Sequence, residues 1–300
     1  MSIREPDQNP GRPLSLPWQE YHDLVMGAWF DLLARDPDEL EVQEFLELHP
    51  AMIPGGSGDV GPGGHHGSEM SLVFREPELK GIGRDYSPDF MWVTRSSSQV
   101  TPILIEIEKP TKRWFKGKGL PTADLTAARS QLNDWRDWFN REGNAAAFRQ
   151  RYLFNDTYSN RPLTPQFLLI YGRQSEFEHG GGHSDPDALR GKRDGLSGEH
   201  EYFMTFDSLR PRYDHGSSIT VTMTATGVQA FAFSPAFGTD ACETGLAAEL
   251  LGDPSEALER SQMMSPARKS YLMERWTYWH SVRQAEKRDK RTHGYQSGLE

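Results

Sequence analysis

Three acidic residues near the middle of the chain have the types and spacing that bind a divalent metal ion. Glu106 and Glu108 lie in the run ILIEIEK (103–109), and Asp89 begins the upstream run DFMWV. Because side chains alternate between the faces of a β-strand, Glu106 and Glu108 point to the same side, about 7 Å apart. Two carboxylates in so apolar a strand repel each other and resist desolvation, so a cation or solvent must offset that cost.

The kind of ion follows from the donor atoms. If the strand that begins at Asp89 pairs with the strand that contains Glu106, one edge of the sheet gathers three carboxylates and a backbone carbonyl. Such oxygen donors favour Mg²⁺, with Mn²⁺ also possible, over zinc. The ion would orient a water molecule and neutralise charge that develops on a phosphate. The predicted metal ligands are Asp89, Glu106, Ile107 and Glu108.

A strongly basic segment follows the acidic strand directly. Residues 109–118, here called the basic loop, contain no acidic residue, and their cations are Lys109, Lys112, Arg113, Lys116 and Lys118. In a chain whose net charge is −10, this local positive charge predicts contacts with the phosphates of a nucleic acid. The aromatic residues Trp114 and Phe115 can either stack on bases or be buried against the neighbouring helix.

The helix predicted after the basic loop supplies a further polar candidate. In LTAARSQLNDWRDWF (125–139), apolar residues at helical spacing form one stripe that faces the sheet: Leu125, Ala128, Leu132, Trp135 and Phe139. Gln131 borders this stripe, one turn before Trp135, where its amide can hydrogen-bond a substrate phosphate or an attacking water. The candidate catalytic residues are therefore Asp89, Glu106, Glu108 and Gln131.

The elements that must position these residues combine helices with strands. Helical spacing and Pro37 predict two helices between Trp18 and Leu48. Strand-like runs are predicted at about 71–75, 89–94, 102–108, 166–172, 201–206 and 217–233. Further helices are predicted at about 122–139 and 144–153, after Asp185, and from Gly252 onward. The predicted fold class is α/β, with a central mixed sheet flanked by helices and helical extensions at both ends.

Composition excludes several classes of protein. No apolar stretch approaches the roughly 20 residues that cross a bilayer, and the N-terminus MSIREPDQNPGRP lacks the apolar core of a signal peptide. Cys242 is the only cysteine, so no internal disulfide can form. The sequence has neither a Walker-type phosphate-binding motif nor a G-x-S-x-G nucleophile motif. We therefore expect a cytoplasmic globular protein without a membrane partner.

Several motifs resemble known nucleases. PD at 88–89, ExE at 106–108 and glutamine with an aromatic residue four positions later (QLNDW) resemble the PD-(D/E)xK nuclease superfamily. Longer stretches are similar to the Shedu anti-phage defence nucleases: EVQEFLELHPAMI, SPDFMWV, ILIEIEKPTKRWFKGKGLPTADLTAARSQLNDWRDW and FMTFDSLRPR. The resemblance implies a PD-(D/E)xK nuclease-like fold, divalent-metal-dependent cleavage of DNA, and a homo-oligomer, either dimer or tetramer.

The domain organisation predicted with this resemblance has four parts. These are a disordered N-terminus at 1–17, an N-terminal helical segment at 18–40, a nuclease core at 41–235, and a C-terminal helical extension at 236–300.

One position departs from the superfamily pattern. The third motif position is usually a lysine, whereas this chain has Glu108. Lys109 is adjacent, but strand alternation points it to the opposite face. By resemblance to superfamily members with an ExE motif, Glu108 is interpreted as a further ligand or the general base, and Lys112, Lys116 or Lys118 as the source of positive charge. The predicted function is metal-dependent hydrolysis of DNA phosphodiester bonds in bacterial anti-phage defence.

Two alternatives remain open. The missing lysine favours a catalytically inactive DNA-binding or assembly module that keeps the nuclease fold. A restriction or repair nuclease outside phage defence would have the same active site and differ only in trigger and target.

Overall fold

The computed structural model describes residues 11–61, 66–154, 160–239 and 241–289. Residues 1–10 of the predicted disordered N-terminus and residues 290–300 of the predicted C-terminal extension lie outside the described part of the chain. None of the helices in the described part is both long enough and apolar enough to cross a membrane.

The described chain has helices at both ends and a mixture of strands and helices between them. The helices are α1 (Trp18–Leu33), α2 (Glu39–Leu48), α3 (Ala123–Asn140), α4 (Asn144–Tyr152), α5 (Pro186–Leu196), α6 (Ala241–Leu251), α7 (Ser255–Arg260) and α8 (Pro266–Asp289). The strands are β1 (Ser68–Arg75), β2 (Phe90–Arg95), β3 (Val100–Ile107), β4 (Gln166–Ile170), β5 (Glu201–Met204), β6 (Ile219–Thr224) and β7 (Gly227–Phe233).

The strands form one mixed sheet in the order β5-β4-β3-β2-β1-β6-β7. β3 pairs antiparallel with β2 and parallel with β4, and all of its residues are buried. A strand that is apolar on both faces needs cover on both sides, which is why the isoleucine-rich run becomes an interior strand. With helices on both faces, the expected α/β fold with a mixed central sheet is confirmed.

The two faces of the sheet have separate apolar cores. On one face, Ile103, Ile105 and Ile107 pack in the same core as Trp29 of α1 and Leu46 of α2. Each of these isoleucine side chains is fully buried and stabilises the fold by about 1.5 to 3 kcal/mol. Strand alternation turns the intervening residues of β3 to the other face, where α3 lies.

The face covered by α3 confirms most of the predicted stripe. Leu125, Ala128, Leu132 and Trp135 are buried. Phe139 is partly buried and packs against the same core, and Trp138 is buried in addition. Thr122 caps the N-terminus of the helix: its side chain accepts a hydrogen bond from the backbone N–H of Leu125. These contacts fix the position of α3 relative to β3.

The C-terminal helices cover the other end of the sheet. The apolar residues Leu272, Trp276 and Trp279 of α8 are buried, and Trp276 packs edge-to-face on Phe233 of β7. This stripe is therefore covered within the chain itself.

Candidate active site

The pairing of β2 with β3 brings Asp89 and Glu106 together at one edge of the sheet. Phe90 lies opposite Ile105 in the ladder, so one step outward places Asp89 opposite Glu106, with Cβ atoms about 5 Å apart. The backbone N–H of Ile107 donates a 2.7 Å hydrogen bond to Oδ2 of Asp89. The Asp89 side chain thus continues the hydrogen bonding of β3 past Phe90, the first residue of β2.

Four carboxylates meet at this edge and form what we call the acid cluster: Glu39, Asp89, Glu106 and Glu108. Glu108 follows β3, and its N–H donates to the carbonyl of Ile170 at 3.1 Å. Glu39 lies in the first turn of α2. Burial and the neighbouring carboxylate of Glu108 raise the pKa of Glu39.

The cluster makes ionisation of Asp89 and Glu106 unfavourable. Burial raises the pKa of Asp89 to about 7, the charges of Glu39 and Glu108 add to the rise, and the Ile107 N–H opposes it. Burial and the neighbouring carboxylates also raise the pKa of Glu106 well above its ordinary range, while a hydrogen bond from Gln131 opposes that rise. Bringing a cation to this edge would relieve both effects.

The donor set of the acid cluster fits a hard divalent ion. Oε2 of Glu106 is buried and has no hydrogen-bond partner among the described residues. Mg²⁺ is commonly held by one or two carboxylates, with waters and substrate phosphates as its other ligands. Asp89 and Glu106 supply two such groups, and the other predicted ligand residues, Ile107 and Glu108, follow Glu106 directly in the chain.

The side chains of the cluster are not arranged as a complete protein cage. In the described ranges, no three His, Cys, Asp or Glu side chains are placed to hold one metal ion together. Asp89 is engaged by the Ile107 N–H, and Glu108 by the ammonium group of Lys112. Of the two Glu108 carboxylate oxygens, Oε2 is therefore already paired with a cation.

Gln131 lies beside the acid cluster, on the helix that covers it. Its side-chain amide lies near the carboxylate of Glu106 and lowers the pKa of that group, and Gln131 is only partly buried. A side-chain amide carries two donor hydrogens and an acceptor oxygen. Gln131 can thus hold Glu106 in place and still offer hydrogen-bonding capacity to a water or a phosphate.

The cations of the basic loop divide into two groups. Arg113, Lys116 and Lys118 are exposed, whereas Lys109 and Lys112 are partly buried. Lys116 and Lys118 form no ion pair with any described residue, so their charges remain available to a polyanion. Lys112 instead turns back to Glu108 and thereby joins the edge of the acid cluster.

Trp114 and Phe115 are buried, and the prediction that they stack on nucleic-acid bases is wrong. Their exposed fractions are 0% and 2%. Both backbone N–H groups donate to the buried carboxylate of Glu176, at 2.8 and 3.0 Å. The alternative, burial against neighbouring elements, is confirmed: the Trp114 ring packs edge-to-face on Tyr171 and Phe177.

A groove of about 540 Å³ extends from the basic loop toward the segment 173–181. Its lining includes Lys112, Arg113 and Arg173. The guanidinium of Arg173 is occupied by both carboxylate oxygens of Asp207, at 2.9 to 3.1 Å. Lys112 is paired with Glu108, and Arg113 lies 3.8 Å from Glu176. Each of these three cations of the groove therefore already has an acidic partner.

Glu39 is the member of the acid cluster that sequence reasoning did not predict. It stands directly after Asp38, whose side chain and that of Glu41 form a capping box. Acidic residues are common in the first turn of a helix because their negative charge interacts favourably with the positive end of the helix dipole. Nothing in the local sequence pattern therefore distinguishes Glu39. Only the approach of α2 to the end of β3 shows its place in the cluster.

Comparison with known proteins identifies the family of this chain. The family model described as Shedu protein SduA, C-terminal, matches residues 36–210. No curated protein matches the chain at a significant level. The matched region includes α2, β3, the basic loop and α3, and thus every residue of the acid cluster. The chain belongs to the Shedu SduA C-terminal family, which is associated with anti-phage defence.

Proposed function

We propose that this chain is a divalent-metal-dependent nuclease that hydrolyses phosphodiester bonds in DNA as part of anti-phage defence. The observation that carries the proposal is the buried Oε2 of Glu106, which has no hydrogen-bond partner among the described residues and is surrounded by other carboxylates. A buried charge without a cation is costly to the fold. Such a group is retained where binding or chemistry requires it.

Asp89 and Glu106 would hold the ion, Mg²⁺ or Mn²⁺. When bound, the ion supplies charge neutralisation for the phosphate and a lowered pKa for a coordinated water. Gln131 orients the attacking water or a phosphate oxygen. Glu108, freed from its partner, accepts a proton from the water as its oxygen bonds to phosphorus and the bond to the leaving oxygen breaks. The exposed cations Lys116 and Lys118 bind neighbouring phosphates of the DNA backbone.

Cleavage by the purified protein tests this function. We expect DNA to be cut when Mg²⁺ or Mn²⁺ is present, and to remain intact when EDTA removes the ion. The variants Asp89→Ala and Glu106→Ala should fold, as circular dichroism can verify, and should not cut. Full activity in both folded variants would exclude the assignment.

One observation favours a second function, an inactive DNA-binding module. The third motif position holds Glu108 rather than lysine, and a site without a correctly placed amine loses stabilisation of the phosphate charge. Such a module would bind DNA with the same affinity whether or not Mg²⁺ is present. Metal-dependent cleavage would reject this alternative.

A further inference from the structure

The ammonium group of Lys112 contacts the acid cluster rather than solvent. Its Nζ forms an ion pair with Oε2 of Glu108. It also opposes the rise of the Glu39 pKa, which burial and Glu108 cause. The Glu108 side chain is only 12% exposed and that of Lys112 31% exposed, so water screens this pair less than a surface pair.

The backbone that carries Lys112 is held on several sides. The carbonyl of Arg113, the next residue, accepts hydrogen bonds from the hydroxyl groups of Thr122 at 2.7 Å and Tyr171 at 3.2 Å. The next two N–H groups along the chain donate to Glu176. These contacts anchor the first half of the basic loop to the core and set the direction of the Lys112 side chain.

Gly172, which follows β4, allows the basic loop to pack closely against the end of the sheet. Gly172 has φ +59, and a Cβ placed there would lie 2.7 Å from the carbonyl oxygen of Lys112 and 2.8 Å from Nε1 of Trp114. A larger residue would strain the backbone and push the loop away from β4. Residue 172 thus lets the loop lie directly on the end of the sheet, beside the acid cluster.

We propose that Lys112 is a catalytic residue with two positions: in the resting chain it neutralises Glu108, and during cleavage it contacts the scissile phosphate. Lys112 would supply the amine that the third motif position lacks. This inference rests on the proposed nuclease function.

The exchange gives the phosphate a cation and frees a base. In the resting chain, the ammonium of Lys112 competes with a divalent ion for the negative charge of the acid cluster. When the phosphate arrives, the ammonium moves to one of its oxygens, and Glu108 becomes a free carboxylate that accepts the proton of the attacking water. Lys112 remains protonated throughout. It stabilises the additional negative charge as the new bond to phosphorus forms and the bond to the leaving oxygen breaks.

Removal of Lys112 should therefore change metal binding and cleavage in opposite directions. In Lys112→Ala, we expect Mn²⁺ affinity measured by titration calorimetry to rise about tenfold, because a competing cation is gone. Single-turnover cleavage at saturating Mn²⁺ should fall by about a hundredfold, since the phosphate charge loses a fixed cation. Lys112→Gln, which retains a hydrogen bond to Glu108 without the charge, should behave in the same way.

Lys116→Ala is the matched control, because it removes the same charge from an exposed position in the same loop. It should weaken DNA binding and leave Mn²⁺ affinity at the wild-type value. Wild-type Mn²⁺ affinity and wild-type cleavage in both folded Lys112 variants would overturn the role of Lys112. A wild-type chain that neither binds Mn²⁺ nor cuts DNA would instead overturn the nuclease function itself.

Discussion

Two buried glutamates in this chain have opposite surroundings. Glu201, at the start of β5, has an ion pair with Arg136 at 2.7 Å, a longer one with Arg129 at 3.6 Å, and a hydrogen bond from the N–H of Gly198 at 2.8 Å. Glu106, at the end of β3, faces other carboxylates and has one buried oxygen without a partner among the described residues. The protein supplies the cations for Glu201, whereas no described cation pairs with Glu106.

The difference distinguishes a structural carboxylate, Glu201, from the carboxylate that we propose to be functional, Glu106. A buried glutamate with its own arginines stabilises the arrangement of the strands and helices that carry them. A buried glutamate among other acids lowers the stability of the fold until a cation binds. Burial alone therefore does not reveal the role of a carboxylate, whereas the charges around it do.

The largest expected effect is on catalysis. Glu106→Gln retains the shape of the side chain and removes its charge, so the site loses a proposed metal ligand. We expect the rate of DNA cleavage to fall by about a thousandfold, with no loss of folded protein. Single-turnover assays with Mg²⁺ measure the rate. Cleavage within a few-fold of wild type would place Glu106 in the same structural class as Glu201.

The second effect is on stability. Glu201→Ala leaves Arg136 and Arg129 without their carboxylate, and both side chains are partly buried. We expect the free energy of unfolding to fall by about 2 kcal/mol, less than for a fully buried pair because solvent screens the arginines. Urea denaturation measures this loss, and cleavage per folded molecule should be retained. Unchanged stability together with lost cleavage would reverse the roles of the two glutamates.

The third effect is a gain of stability that depends on pH. In the folded chain the pKa of Asp89 is about 7, above the ordinary value of 3.8. The folded state therefore binds this proton more tightly than the unfolded state, and stability declines as the pH rises from 3.8 to 7. Asp89→Asn removes that decline, since an amide carries no charge at either pH.

With EDTA present, we expect the free energy of unfolding of Asp89→Asn at pH 7.5 to exceed that of wild type by about 1 to 2 kcal/mol. At pH 3.5 the two values should be equal. The gain is smaller than the pKa change alone gives, because the side chain is partly exposed and screened. Urea denaturation at the two pH values is the measurement. A variant that is less stable than wild type at pH 7.5 would show that the Asp89 charge stabilises the fold.

The smallest effect concerns the exposed cations of the basic loop. Lys116→Ala and Lys118→Ala should each lower the slope of log affinity against log salt concentration by about one, because each removes one phosphate contact. Lys80→Ala is the control, since Lys80 is exposed and paired with Glu78 at 2.7 Å. Fluorescence anisotropy with catalytically inactive protein gives the slopes. Equal slopes for all three variants would remove the basic loop from the DNA interface.

The parts of the site that local patterns determine were predictable from sequence. The isoleucine-rich run predicts a strand covered on both faces, and β3 is such a strand. Strand alternation places Glu106 on the same side as α3, and helical spacing places Gln131 at the border of the buried stripe on α3. Each of these inferences needs only neighbouring residues and a known period.

The parts that depend on distant segments were not predictable. Glu39 joins the cluster because the fold places the first turn of α2 near the end of β3. Trp114 and Phe115 are buried because Glu176, about 60 residues farther along the chain, accepts their N–H groups. The parallel pairing of β1 with β6 likewise joins segments that no local pattern connects. Contacts of this kind are set by the tertiary fold and leave no periodic trace in the sequence.

The most direct measurement is a crystal structure of the chain with DNA and Mn²⁺, with anomalous diffraction data to locate the manganese. We expect an anomalous peak at the edge of β3, with carboxylate oxygens of Asp89 and Glu106 at about 2.1 Å and a phosphate oxygen as a further ligand. Bound DNA at saturating Mn²⁺ with no peak between Asp89 and Glu106 would contradict the proposed metal site.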